Sequence, residues 1–263
     1  MVVYVKNRAG KRLCCVVDGP DAATREPAVL IIHGFKGFLT QRHIEAISDA
    51  LVNAGFVTVR PDLTKNPGRS YLPFEDMTYR QEFSDLEDIF DFTLKMPQVD
   101  SSRIGITGHS LGGMLVAQLA AKRGEIKSLA TVSAVYDFKF VAKRVFKKPF
   151  SEVKRDFEEK GVSVVWSQSL GKDLLIKKKF YEDVVFRTAA DFAKNITCPI
   201  LIISGENDEA VSQSHADNYL KSVTTKVKKM EIIAGSDHNY TIFGVLSQVT
   251  KAVAGWFAET LAL

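Results

Sequence analysis

Hydrophobic runs with two different periods alternate along the chain. Ala28-Val-Leu-Ile-Ile-His33 and Pro199-Ile-Leu-Ile-Ile-Ser204 are unbroken apolar stretches, the pattern of strands covered on both faces. Val57–Arg60, Arg103–Thr107, Ser128–Val132 and Lys229–Ile233 are further strand candidates. Between them lie segments of helical period. Gln41–Asn53 places Ile44, Ile47 and Leu51 on one face, Arg80–Lys95 does the same with Phe83, Leu86, Phe90 and Leu94, and Met114–Lys122 continues the series. Ser214–Val223 and Phe243–Leu261 complete it, the last with Leu246, Val249, Val253, Trp256 and Phe257 inward. Val2–Lys6 and Arg12–Val17 flank a turn-rich Asn7–Gly10 and predict an antiparallel hairpin at one edge. Strands alternating with helices, without internal repeats, predict a doubly wound α/β domain with a mostly parallel sheet.

One segment breaks the rhythm. Residues 137–187 hold thirteen Lys or Arg against eight Asp or Glu, so their net charge of +5 leaves about −1 for the rest of a chain whose total is +4. With aromatics such as Phe138, Phe146, Trp166 and Phe180, the segment predicts a mostly helical cap inserted into a core built from residues 1–136 and 188–263. Its basic residues read either as a solvated surface or as an attractor for an anionic substrate.

Composition sets broad bounds. With 263 residues, 46% of them hydrophobic, the chain can bury a large core. The mild positive balance gives no reason to expect nucleic acid, and no apolar run reaches membrane-spanning length. Cys14, Cys15 and Cys198 have no metal-ligand spacing and read as free thiols. With no secretory pattern at Met1–Val5, the expectation is a cytoplasmic protein. The oligomeric state stays open, a homodimer included.

The chemistry centres on Arg103-Ile-Gly-Ile-Thr-Gly-His-Ser-Leu-Gly-Gly113, where a strand runs into Gly108-x-Ser110-x-Gly112 and then a helix. A serine on such a sharp bend is displayed at the end of the sheet. Its hydroxyl needs an imidazole to take the proton and a carboxylate to orient that imidazole. Gly205-Glu-Asn-Asp208 follows one late strand and Gly235-Ser-Asp-His238 follows the next, both at the sheet edge where reacting groups gather in open α/β folds. Ser110, Asp208 and His238 are the assignments; Glu206 and Glu209 compete for the acid. The oxyanion would be held by the backbone N–H groups of Leu111 and of Phe35, the latter on the His33-Gly34-Phe35 loop. His33 reads as a structural histidine, His109 as directed away from the site, and His43 and His215 as surface or packing residues.

His33-Gly-Phe35, Gly108-His-Ser-Leu-Gly-Gly113, Gly205-Glu-Asn-Asp208 and Asp237-His238 together resemble the α/β-hydrolase superfamily, and within it the small esterases related to feruloyl (cinnamoyl) esterases and monoacylglycerol lipases. That resemblance implies an eight-stranded sheet, a cap inserted after the sixth strand, no metal and no organic cofactor. It also implies a small-molecule ester as substrate. The segment Asp62 to Ser70 follows the family's Asp-x-x-Gly-x-Gly-x-Ser loop only loosely. The expected function is a serine ester hydrolase acting on short to medium acyl or aryl-acyl esters, hydroxycinnamoyl esters among them. The alternatives are an aminopeptidase or amidase on the same residues, and a non-catalytic ligand-binding protein of this fold.

Overall fold

A computed structural model describes residues 1–20, 24–64, 66–70 and 73–261. Eight strands form one sheet in the order β1-β2-β4-β3-β5-β6-β9-β10. The hairpin of β1 (Val2–Lys6) and β2 (Arg12–Asp18) joins antiparallel to β4 (Val57–Pro61). From β4 onward, β3 (Glu26–Ile32), β5 (Val99–His109), β6 (Ile126–Val132), β9 (Ile200–Gly205) and β10 (Lys228–Ile233) run parallel. The helices are α1 (Arg42–Asn53), α2 (Tyr79–Thr93), α3 (Leu111–Lys122), α7 (Gln213–Ser222) and α8 (Val245–Thr260), close to the predicted spans. No helix among the described residues is long and apolar enough to cross a membrane.

The unbroken apolar strands divide their side chains between two cores. In β3, Ala28, Leu30 and Ile32 face the layer built with α2 and α3, while Val29 and Ile31 face α1 and α8. In β9, Ile200 and Ile202 face the first layer, Leu201 and Ile203 the second. Every one of these side chains is at most 1% exposed. The two-residue period of a strand, with oil on both faces, therefore fixes the register and leaves the carboxyl ends of the parallel strands as the place where loops converge.

The segment after β6 contains α4 (Phe138–Phe146), α5 (Phe150–Lys160) and α6 (Lys178–Val184). It also contains a hairpin, β7 (Val162–Ser167) paired antiparallel with β8 (Lys172–Lys177), where helix was expected. The reason is local: Val162-Ser-Val-Val-Trp-Ser alternates exposed and buried positions, its valines favour the pleated chain, and Gly171 (φ +62°) closes the turn. Phe180 fastens this segment to the rest, fully buried and stacked on Phe35 at 4.9 Å between ring centroids.

Candidate active site

Ser110 sits between β5 and α3 with φ +58° and ψ −120°, a conformation that costs a residue with a side chain about 1–3 kcal/mol and needs surrounding structure to hold it. That structure is present. Ser110 N–H donates to Val132 O (3.0 Å), and Ser110 O accepts from Gly113 N–H (3.0 Å) and Val135 N–H (3.1 Å). The flanking glycines are required by contact: a Cβ on Gly108 would lie 2.6 Å from the Gly112 carbonyl carbon, and one on Gly112 would lie 2.7 Å from Ile32 O. Strand β5, helix α3 and the end of β3 can meet only where side chains are absent.

The other predicted residues converge on the serine. His238, in the loop after β10, lies with Nε2 3.0 Å from Ser110 Oγ and Nδ1 2.8 Å from Asp208 Oδ2. An ionised carboxylate only accepts, so Nδ1 carries the proton and the Nε2 lone pair faces the serine hydroxyl. Asp208, just beyond β9, has a fully buried side chain, whereas that of His238 is 19% exposed and reachable from the pocket. Asp208 also accepts from Ala210 N–H (2.9 Å) and Val211 N–H (2.7 Å). Burial pushes its carboxyl up, yet the hydrogen bond and charge of His238, with help from Val211 N–H and Ser133, outweigh that and keep it below the ordinary carboxylate value. The rival acid Glu206 instead accepts from Gly235 N–H (2.8 Å) and braces the His238 loop from outside. Glu209 lines the neighbouring cleft.

Gly34 abuts the elbow, and a Cβ there would come within 2.9 Å of Ser110 Cβ. This contact brings Phe35 to the edge of the serine pocket, where it forms part of the lining. Leu111 opens α3, so its N–H is among those that the helix itself cannot satisfy. Neither amide donates to another protein group among the described residues. The loop from Asp62 to Ser70, for all its departure from the family pattern, is held to the same framework: Asp62 accepts from Leu39 N–H (2.7 Å), and Ser70 Oγ donates to Asp62 O (2.6 Å). Lys65 lies outside the described residues.

His33 plays the expected structural part, Nδ1–H donating to Gly34 O (3.0 Å) while Nε2 accepts from Leu63 N–H (3.1 Å). His215 Nδ1 accepts from Tyr136 N–H (2.9 Å). His109 departs from its reading. Its ring turns back beneath the elbow, and Nε2–H donates to the carbonyl of His238 at 2.8 Å. The imidazoles of His43, His109 and His238 form a column with centroid separations of 4.3 and 4.6 Å. Burial drives His43 down to about 3 and His109 well below 6.5, with neighbouring imidazoles adding to both shifts. The only signal of this column in the sequence was the histidine immediately before the serine.

The site opens into a cavity of about 500 Å³ lined by Phe35, Lys36, Ser110 and His238 on the sheet side. Arg144, Lys147 and Trp166, from the segment after β6, form the facing wall. No cluster able to hold a metal ion occurs among the described residues.

Residues 83–236 match the family described as BAAT / Acyl-CoA thioester hydrolase C terminal, and residues 14–137 match the Dienelactone hydrolase family. A thermostable monoacylglycerol lipase from a Bacillus species is 24% identical over 227 residues, which cover 81% of this chain and 83% of that protein. Among solved structures, that of Est1E from Butyrivibrio proteoclasticus with ferulic acid bound superposes with a TM-score of 0.85 at 28% identity, covering 99% of this chain and 100% of that one. The esterase domain of a Rhodothermus marinus protein superposes with a TM-score of 0.75 at 21% identity, covering 100% of this chain and 99% of that one, a likeness of fold.

Proposed function

Because the chain belongs to the family described as BAAT / Acyl-CoA thioester hydrolase C terminal and has the α/β-hydrolase fold, we propose that it is a serine hydrolase that cleaves carboxylic esters through an acyl-enzyme. The observation that carries this reading is the unbroken hydrogen-bonded line from Ser110 Oγ through His238 to the buried Asp208. As Ser110 Oγ attacks the acyl carbon, His238 Nε2 takes the hydroxyl proton, and Asp208 stabilises the imidazolium through Nδ1–H. The carbonyl oxygen, now negative, is met by the amides of Phe35 and Leu111. His238 then gives its proton to the departing alkoxide, leaving Ser110 acylated. A water molecule, deprotonated by the same nitrogen, attacks the acyl carbon; Ser110 recovers the proton, and the acid leaves.

Residues 137–187 serve in this reading as a cap on the core of residues 1–136 and 188–263, supported by Arg144 and Trp166 in the pocket wall. Short to medium acyl esters and aryl-acyl esters, hydroxycinnamoyl esters included, are the substrate range. The ferulic acid bound by Est1E and the monoacylglycerol lipase relative point the same way. The buried free thiols of Cys14, Cys15 and Cys198 support action in a reducing, cytoplasmic setting.

Ser110→Ala is the direct test. It should lower turnover of 4-nitrophenyl and methyl hydroxycinnamate esters by several orders of magnitude while leaving circular dichroism and thermal unfolding near wild type. A near-normal rate in that variant would remove the serine mechanism.

A further inference from the structure

The cavity over Ser110 carries three cations, and among the described residues none of them makes an ion pair. Lys36 stands next to Phe35 on one wall, while Arg144 and Lys147 stand on the other at the end of α4. Elsewhere in the segment after β6, cations are of both kinds: Lys148 and Lys160 flank Asp156 and Lys177 and Lys179 share Asp76, whereas Lys139, Lys143, Arg155 and Lys172 make no ion pair among the described residues and do not line the cavity. Arg144 and Lys147 are exposed, which a solvated surface would also show. Lys36 is different. It is half-buried, and its Nζ donates to the carbonyl of Trp166 at 2.8 Å across the cavity. A neutral carbonyl satisfies one N–H without balancing the charge, and burial, with Lys147 beside it, pulls Lys36 down to about 8.

Backbone geometry adds a second observation. Lys36 (φ +61°) and Lys147 (φ +52°) both occupy the left-handed region, which non-glycine side chains adopt at a cost of about 1–2 kcal/mol. For Lys147 this is the left-handed cap that ends α4, its N–H donating to Lys143 O, and for Lys36 it is the turn after β3; both turns place a lysine at the cavity where no carboxylate pairs with it. Glu209 and Asp237 line an adjoining cleft that Arg144 and Lys147 also border, but Asp237 accepts from Thr241 N–H (2.8 Å), and neither acid comes within ion-pair distance of these cations. A half-buried ammonium beside other positive charges is stabilised when an anion arrives.

We infer that this pocket selects esters bearing an anionic group, a carboxylate or a phosphate, seated on Lys36, Arg144 and Lys147 with the scissile carbonyl at Ser110. The cleavage half of this statement rests on the serine-hydrolase reading; the anion site does not. Calorimetric titration of the wild-type protein at low salt with 3-phenylpropionate, phenyl phosphate and neutral 3-phenylpropionamide tests it without turnover. At least one anion should bind about tenfold more tightly than the amide, with the stronger of the two identifying carboxylate or phosphate, and added salt should erode the difference. The double variant Arg144→Gln/Lys147→Gln should lose the preference. Arg155→Gln/Lys172→Gln, which removes the same charge from exposed positions outside the cavity, should keep it. Equal binding of anions and amide, or equal loss in both double variants, would overturn the anion site.

In kinetics, the ratio of kcat/KM for mono-4-nitrophenyl glutarate over 4-nitrophenyl butyrate should fall about tenfold in the Arg144→Gln/Lys147→Gln variant. Ser110-dependent turnover with no anion preference would sink this inference and leave the hydrolase standing. Pocket-dependent anion binding with turnover indifferent to Ser110→Ala would do the opposite.

Discussion

At the residue scale, the column of His43, His109 and His238 divides one kind of side chain into different protonation environments. His238 is partly exposed and bonded to a carboxylate, whereas His43 and His109 are buried and uncharged. A buried neutral histidine binds its proton less readily in the fold than in the unfolded chain, so stability is lost as pH falls below the ordinary value of 6.5 toward the folded one. For His43 that window runs from 6.5 to about 3. His43→Gln should therefore flatten the acid limb of the stability profile, measured as urea midpoints between pH 4 and 7; an unchanged slope would refute the link. That Ser110, Asp208 and His238 converge could be read from the sequence, because each follows a strand and carries a residue type that the proposed chemistry calls for. The column could not, since it depends on how far a ring turns beneath a strained bend.

The alternating apolar strands and helices of the core declare themselves, because each buries a face with a fixed period and the periods differ. The hairpin of β7 and β8 did not. Lys172, Asp173 and Lys177 break its apolar pattern, and only Val162–Ser167 retains a strand's alternation. What joins this segment to the core is a contact between distant elements, Phe180 of α6 on Phe35. Phe180→Ala should cost about 3–5 kcal/mol by leaving a cavity against Phe35 and Phe138. It should also raise KM more than it lowers kcat, because the wall of the pocket loosens while the bonds of Ser110 remain. Thermal unfolding and steady-state kinetics check the two halves separately.

For the whole molecule, two kinds of buried group pull against each other with pH. Glu82, sealed inside with Asn66 as partner, has its carboxyl pushed by burial up to about 8 from 4.5. The unfolded chain releases that proton earlier, so this group makes stability fall as pH rises from 4.5 to 8. The buried histidines make it rise up to about 6.5. Their sum predicts a maximum near pH 6.5, and Glu82→Gln, which keeps an acceptor for Asn66, should raise stability at pH 8 and level the alkaline side. A fall in the pH 8 unfolding midpoint would contradict this.

The division of the sheet into two cores also bears on the order in which the chain becomes a protein. Leu246, Val249, Val253 and Phe257 of α8 complete the layer begun by Ile44, Ile47 and Leu51 of α1, and Phe257 rests directly on Gly105 in the strand that ends at the serine. During synthesis the N-terminal half emerges first, and α1 covers one side of β3 and β4, yet the same side of β6 has no cover until α8 arrives. Ala130 and Val132 of β6 wait for that cover until about a hundred later residues have been added. The last helix is thus the closing stitch, and a nascent chain arrested before it would present to the cell a half-covered sheet that invites chaperones or aggregation.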